Sequence, residues 1–109
     1  MSTVIHVDPT RRVGRRDPRI YGQFIEHFHR QIYGGIYEPG SPRSDEDGFR
    51  TDVMEAIHAI RPEILRWPGG CFVSAYHWQD GVGEHRSPHY DKAWQVEETN
   101  EFGTDEFVA

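Results

Sequence analysis

Residues 64–70, Ile64-Leu65-Arg66-Trp67-Pro68-Gly69-Gly70, constrain this chain more than any other stretch. A short apolar run meets a proline, which fixes its own φ and biases the residue before it toward extended backbone. The two glycines that follow reach φ values other residues adopt only at a cost. The sequence therefore predicts a strand that turns sharply at its end, presenting Cys71 and the aromatic residues beyond it. Enzymes of the α/β class carry their chemistry on loops of this kind, at the carboxyl ends of strands.

The preceding residues supply a partner for that strand. Ile20–Glu26 is mostly apolar, as expected of a strand covered on both faces. Phe49, Val53, Met54, Ile57 and Ile60 fall on one helical face, with Asp47 as the predicted cap and Pro62 as the stop. Residues 63–67 form the next strand. Strand, helix and strand in this order predict a right-handed βαβ unit with parallel strands. That arrangement brings Glu26 and Arg66 to the same rim of the sheet.

Elsewhere the signals are weaker. Thr3–Val7 alternates and ends at Asp8-Pro9, predicting a short strand before an arginine-rich loop. Residues 27–48 are a connection of unusual length, of the kind that is functional or disordered. Residues 81–103 are polar and loop-like, and Thr104 resembles an N-cap with Asp105 and Glu106 in the first helical turn. A helix of one turn cannot offset its nucleation cost, and a parallel strand pair leaves open edges. The chain therefore reads as part of something larger.

Charge and composition narrow the function. The net charge of -6 argues against nucleic acid as the main partner. No apolar run approaches the roughly 20 residues of a membrane span. The single Cys71 forms no internal disulfide, which fits a reducing cytoplasm. Residues 1–30 nevertheless hold six arginines against three acids, whereas residues 84–109 hold seven acids against Arg86 and Lys92. We read the arginines as a solvated turn or a surface facing acidic partners, rather than a polyanion-binding arm.

Several kinds of chemistry are excluded. The only lysine, Lys92, lies in no Walker loop, and neither G-x-G-x-x-G nor G-x-S-x-G occurs. Cys71 follows a glycine turn and could be a nucleophile, although a packed, inert thiol is the commoner case. His27 and His29 could place two imidazoles on one metal at a strand end, or could simply pack beneath a loop. Glu26 stands out because an acid closing an apolar strand is costly unless something pairs with it. Sugar hydroxyls, or Arg66 across the rim, would meet that need. Trp67, Tyr76, Trp78 and Trp94 add the aromatic faces a carbohydrate site uses, with Tyr76 and Phe72 expected to belong to the core.

Five segments carry a resemblance: Ile20-Tyr21-Gly22-Gln23-Phe24-Ile25-Glu26-His27, Ile32-Tyr33-Gly34-Gly35-Ile36, Leu65–Phe72, Tyr76–Gly83 and Glu98–Thr104. In order and spacing they resemble the N-terminal part of the α-L-arabinofuranosidases of glycoside hydrolase family 51. The resemblance implies an α/β fold, the first portion of a (β/α)8 TIM barrel over residues 20–109. Residues 1–19 would contribute a strand pairing with a C-terminal β-sandwich, followed by the arginine-rich loop.

It further implies removal of terminal arabinofuranosyl groups from arabinan or arabinoxylan saccharides, with retention and no cofactor or metal. Glu26, Cys71 and Trp94 would touch the sugar, and Arg66 would position and charge-pair at the rim. The implied partners are an arabinofuranosyl oligosaccharide, the remainder of the barrel and sandwich, and further copies in a homo-oligomer. The retaining mechanism needs two carboxyls, which the resemblance places on strands four and seven, beyond the segments seen here. Asn100-Glu101 imitates the Asn-Glu pair of the acid/base but lies in the strand-two loop, so that role is not transferred. The alternatives are a metal hydrolase using His27 and His29, and a non-catalytic oligomeric carbohydrate-binding module.

Overall fold

The computed structural model describes all residues, Met1–Ala109. Its organising unit is the expected βαβ arrangement, with much shorter strands than predicted. Asp17 starts a 3-10 turn at Pro18–Tyr21: its carboxylate accepts from the Arg19 N–H at 3.0 Å, and proline stands at the first position. That turn consumes the beginning of the predicted strand. Strand β1 is Gln23–Phe24 and β2 is Leu65–Arg66, parallel and in register Gln23↔Leu65 and Phe24↔Arg66. Backbone bonds carry the pairing past both ends, from Gln23 N–H to Ile64 O at 2.9 Å through to His27 N–H to Pro68 O at 2.7 Å. The ladder therefore runs into the turn, which includes a cis Trp67–Pro68 bond.

A short helix, α1 (His29–Ile32), opens the long connection, and α2 (Thr51–Ile60) follows it. Arg50, not Asp47, caps α2. The carboxylate that organises this entry is Asp45, which accepts from the N–H groups of Asp47 at 3.1 Å and Phe49 at 2.8 Å. The helix ends at Arg61 in the left-handed region, φ 53°, one residue before Pro62. Arg50 bridges Glu38 and Asp52, which ties the loop to the first turn of α2.

Alternation along β1 and β2 then separates two faces. Ile25 and Leu65 look toward Val53, Ile57 and Ile60 of α2 across a gap of about 370 Å³. Phe24 and Arg66 lie on the other face, both exposed, with the Arg66 guanidinium 3.8 Å from the Phe24 ring centre.

Beyond the turn come 3-10 turns at Phe72–Ala75 and Trp78–Gly81. Residues 81–103 are not simply a loop. They contain an antiparallel hairpin, β3 (His89–Asp91) with β4 (Val96–Glu98), paired His89↔Glu98 and Asp91↔Val96. Helix α3 (Thr104–Val108) begins one residue earlier than expected, with Gly103 rather than Thr104 as N-cap and its N–H bound to the Glu106 carboxylate at 2.7 Å. The Arg86 guanidinium joins these pieces, donating to the carbonyls of Gly81, Gly83 and Asn100 and to Glu106.

Residues 3–7 form no strand. Val4, Ile5 and Val7 are at least 70% exposed, and no other strand offers the ladder that extended backbone needs. This arm contributes to a radius of gyration of 19.2 Å and a long axis of 59 Å, where a compact domain of this length measures about 13 Å. The buried interior is small: Ile32, Phe72 and Phe102, together with His27, Asp91, Glu98 and Asn100. Phe72 is core, as expected, and Tyr76 is half-buried against it and against Trp67.

Candidate functional site

The strand-end turn and Glu26 meet directly. Gly69 has φ +140°, a conformation only glycine takes comfortably, and a Cβ there would lie 2.5 Å from Glu26 Cγ. A Cβ on Gly70 would stand 3.5 Å from both Glu26 carboxylate oxygens. The backbone thus packs against the acid, and a side chain at Gly69 would displace it. One residue beyond Cys71, the Phe72 N–H donates to Glu26 Oε1 at 3.3 Å. This is the one hydrogen bond the carboxylate receives within the chain, so the rest of its accepting capacity faces the mouth of the turn. Cys71 is exposed beside it, not a packed thiol.

Arg66 does not supply the charge pairing expected of it. It makes no ion pair and stacks on Phe24, one step back along the same face. Glu26 is partly exposed to solvent, and its partner within the chain is the Phe72 amide instead.

Trp94 is brought to the same end of the strand by the hairpin. Asp91, nearly buried, accepts from the N–H groups of Ala93 at 2.8 Å and Trp94 at 3.1 Å, and so sets the β3–β4 turn. Trp94 then meets Phe28 edge-on, with ring centres 4.6 Å apart. Phe28 lies two residues beyond Glu26, so a half-exposed indole flanks the carboxylate's strand end. Trp78, 57% exposed, remains a free aromatic face.

His27 and His29 turn inward, toward Glu98. The His27 Nε2–H donates to Glu98 Oε2 at 2.9 Å, and His29 Nδ1 lies 3.9 Å from the same oxygen. No group of three or more His, Cys, Asp or Glu side chains is disposed to hold a metal ion. His27 stacks on Phe72, with centres 4.3 Å apart and planes 15° off parallel, which matches the expectation of histidines packed beneath a loop.

Sequence reasoning missed Glu98. Its side chain has no exposure, and it accepts from His27, from the Tyr33 hydroxyl and from the Asn100 N–H at 2.9 Å. Burial by itself would favour the neutral acid, but the bonds from His27, Tyr33 and the Asn100 amide hold its pKa below the usual carboxylate range. Burial, and the Glu98 carboxylate beside it, push the Tyr33 phenol well above its ordinary value. Strand alternation gives the only sequence signal: in Val96-Glu97-Glu98 the first acid points outward and the second inward.

Comparison with known proteins follows the same segments. The family described as "Alpha-L-arabinofuranosidase 1 domain" matches residues 56–109. An "Intracellular exo-alpha-(1->5)-L-arabinofuranosidase 1" of Bacillus subtilis is 53% identical over 105 residues, covering 94% of this chain and 21% of the relative. Among solved structures, the α-L-arabinofuranosidase of Thermotoga maritima, in an arabinose complex, is 63% identical with a TM-score of 0.77, over 81% of this chain and 19% of that one. The GH51 α-L-arabinofuranosidase of Thermotoga petrophila is 63% identical with a TM-score of 0.78, over 83% and 19%. The chain spans about a fifth of the length of the curated relatives it matches.

Proposed function

This chain belongs with the N-terminal part of the family 51 α-L-arabinofuranosidases, and from that premise we propose that it supplies the sugar-holding rim of a retaining arabinofuranosidase. The observation that carries the proposal is the Glu26 carboxylate, pressed against Gly69 and bonded within the chain only by the Phe72 N–H. Its free oxygen lone pairs open onto a mouth bordered by Cys71, with Trp94 at the same strand end. An acceptor of fixed position beside an aromatic face suits a sugar, whose hydroxyls donate while its C–H face stacks.

In this reading Glu26 takes arabinose hydroxyls, Cys71 packs on the ring and Trp94 walls the pocket. Arg66, stacked on Phe24, contributes positive charge to the face below them. That face is the interior of a (β/α)8 barrel of which β1 and β2 are the first two strands, within residues 20–109. The arm of residues 1–19 reaches a β-sandwich. The reaction is double displacement through a covalent arabinosyl-enzyme, which requires two carboxyls about 5–5.5 Å apart. Neither is assigned to this chain. Asn100 is buried with its amide on Ser87 O, which keeps it out of the mouth. The substrate is a terminal α-L-arabinofuranosyl group of an arabinan or arabinoxylan fragment, and the name of the Bacillus relative supports a site inside the cell.

The test is hydrolysis of an aryl α-L-arabinofuranoside by the 109-residue chain, alone and with a polypeptide carrying the remaining strands of a relative. Turnover is expected only in the mixture, and loss of that turnover in Glu26→Gln supports the assignment. Hydrolysis by the chain alone defeats it.

A further inference from the structure

Glu98 is the best-buried ionisable group in the molecule, and the proposed chemistry makes no use of it. We propose that Glu98 is a positioning residue for Glu26, acting through His27 and Phe72. The inference rests on the reading of Glu26 as the sugar-holding carboxylate.

The contacts form one continuous path. Glu98 Oε2 accepts from His27 Nε2–H at 2.9 Å, which fixes the imidazole's rotation about its own bonds. The imidazole lies flat on the Phe72 ring at 4.3 Å. Phe72 is 3% exposed, and its N–H is the donor that Glu26 receives, at 3.3 Å. The backbone shortens the path further, because His27 is Glu26's neighbour and its N–H is tied to Pro68 O at 2.7 Å. The imidazole that Glu98 holds therefore belongs to the residue next to Glu26 and lies on the ring of the residue whose amide donates to it.

A carboxylate suits this task better than a neutral side chain would. Glu98 Oε1 accepts from Tyr33 and from the Asn100 N–H, and Oε2 accepts from His27. Three donors from three segments converge on a group that offers only acceptors. An amide has a single oxygen. If that oxygen keeps Tyr33 and Asn100, its NH₂ opposes the His27 N–H, and the imidazole must change tautomer or turn away. His27 Nδ1 is buried without a partner, so a ring released from Glu98 keeps no hydrogen bond inside the core.

Amide NMR of this chain across an acid titration tests the path, with His27, His29 and Tyr33 as the titratable groups facing Glu98. In the parent, the Phe72 amide proton should shift as Glu26 ionises, an assignment fixed by its disappearance in Glu26→Gln. In Glu98→Gln that Phe72 response should be lost, and affinity for an arabino-oligosaccharide should fall about fivefold, the scale of one net hydrogen bond. Tyr33→Phe removes a different donor from the same carboxylate and should leave the Phe72 response as in the parent. If Glu98→Gln does not fold, Glu98→Asp, which keeps the charge but withdraws it from His27, is read in the same way.

An unchanged Phe72 response in the Glu98 variant overturns the proposal. So does equal damage from Tyr33→Phe, which would mean that Glu98 merely stabilises the fold. Failure of the parent to bind sugar counts against the arabinose reading alone, because the Phe72 amide reports the coupling without any ligand.

Discussion

Two halves of this molecule are built on opposite principles. Around β3, β4 and the Pro68-Gly69-Gly70 turn, the interior is closed by polar side chains: Glu98, Asn100, Asp91 and His27 are all at most 6% exposed. Between α2 and the β1–β2 pair the side chains are apolar, yet a gap of about 370 Å³ remains and Ile60, Ile64 and Leu65 stay exposed. Hydrogen bonds have direction and number, so a short segment can satisfy its own. Apolar burial has neither, and it accumulates only with the area that neighbours cover. The polar half thus draws its order from directed contacts within the chain, while the apolar half leaves its face open.

The sharpest way to break this contrast is Glu98→Ala. It strands the His27, Tyr33 and Asn100 donors in the core and should cost about 4 kcal/mol in denaturant unfolding, toward the upper range for buried networks. A loss below about 1 kcal/mol, the scale of a surface substitution, would mean that the polar half is not what holds the chain. Phe102→Ala comes next. Phe102 touches the rings of His27, Tyr37, Phe49 and Trp67, joining the two halves, and its removal should cost about 3 kcal/mol.

Gly69→Ala should cost about 2 kcal/mol, through its φ of +140° and the Cβ that would press on Glu26. Because it moves the carboxylate, it should also abolish sugar binding, measured by calorimetry.

Acid acts most on the polar half, because the other carboxylate that Arg50 holds low, Asp52 at the first turn of α2, is an exposed surface partner. Glu98 has its folded-state pKa depressed below 4.5, so its contribution is complete above that value and is lost as pH falls through the folded pKa. Resonances of Tyr33 and the hairpin should therefore broaden before those of α2 during acidification. The smallest effect belongs to the open side. Ile57→Ala borders space that is already empty, and should cost about 1 kcal/mol, less than a sealed core position would. A loss as large as that of Phe102→Ala would show that α2 packs more tightly than the gap implies.

The same contrast explains what the sequence made legible. Helix α2 was readable because its apolar residues repeat at helical spacing, and the turn because proline and glycine restrict the backbone directly. The closeness of Glu26 to that turn follows from strand order alone. Strand ends were not readable, since Asp17-Pro18 starts a 3-10 turn inside an apolar run that reads as strand. The hairpin was hidden because Gln95, rather than glycine, takes the positive φ of its turn, and each strand is only three residues long. Glu98 was hidden by its neighbour: a pair of acids looks solvated until one strand face is known to be covered. Arg66 was placed on the correct rim, but charge pairing with Glu26 lost to stacking on Phe24, a contact no spacing rule anticipates.

Cys71 is the chain's only thiol, and it is exposed one residue before the amide that touches Glu26. A trifluoromethyl tag attached through that sulfur would give a single fluorine resonance at the mouth of the turn. Occupancy could then be watched in crude mixtures, with no isotopic enrichment and no competing signal from elsewhere in the polypeptide.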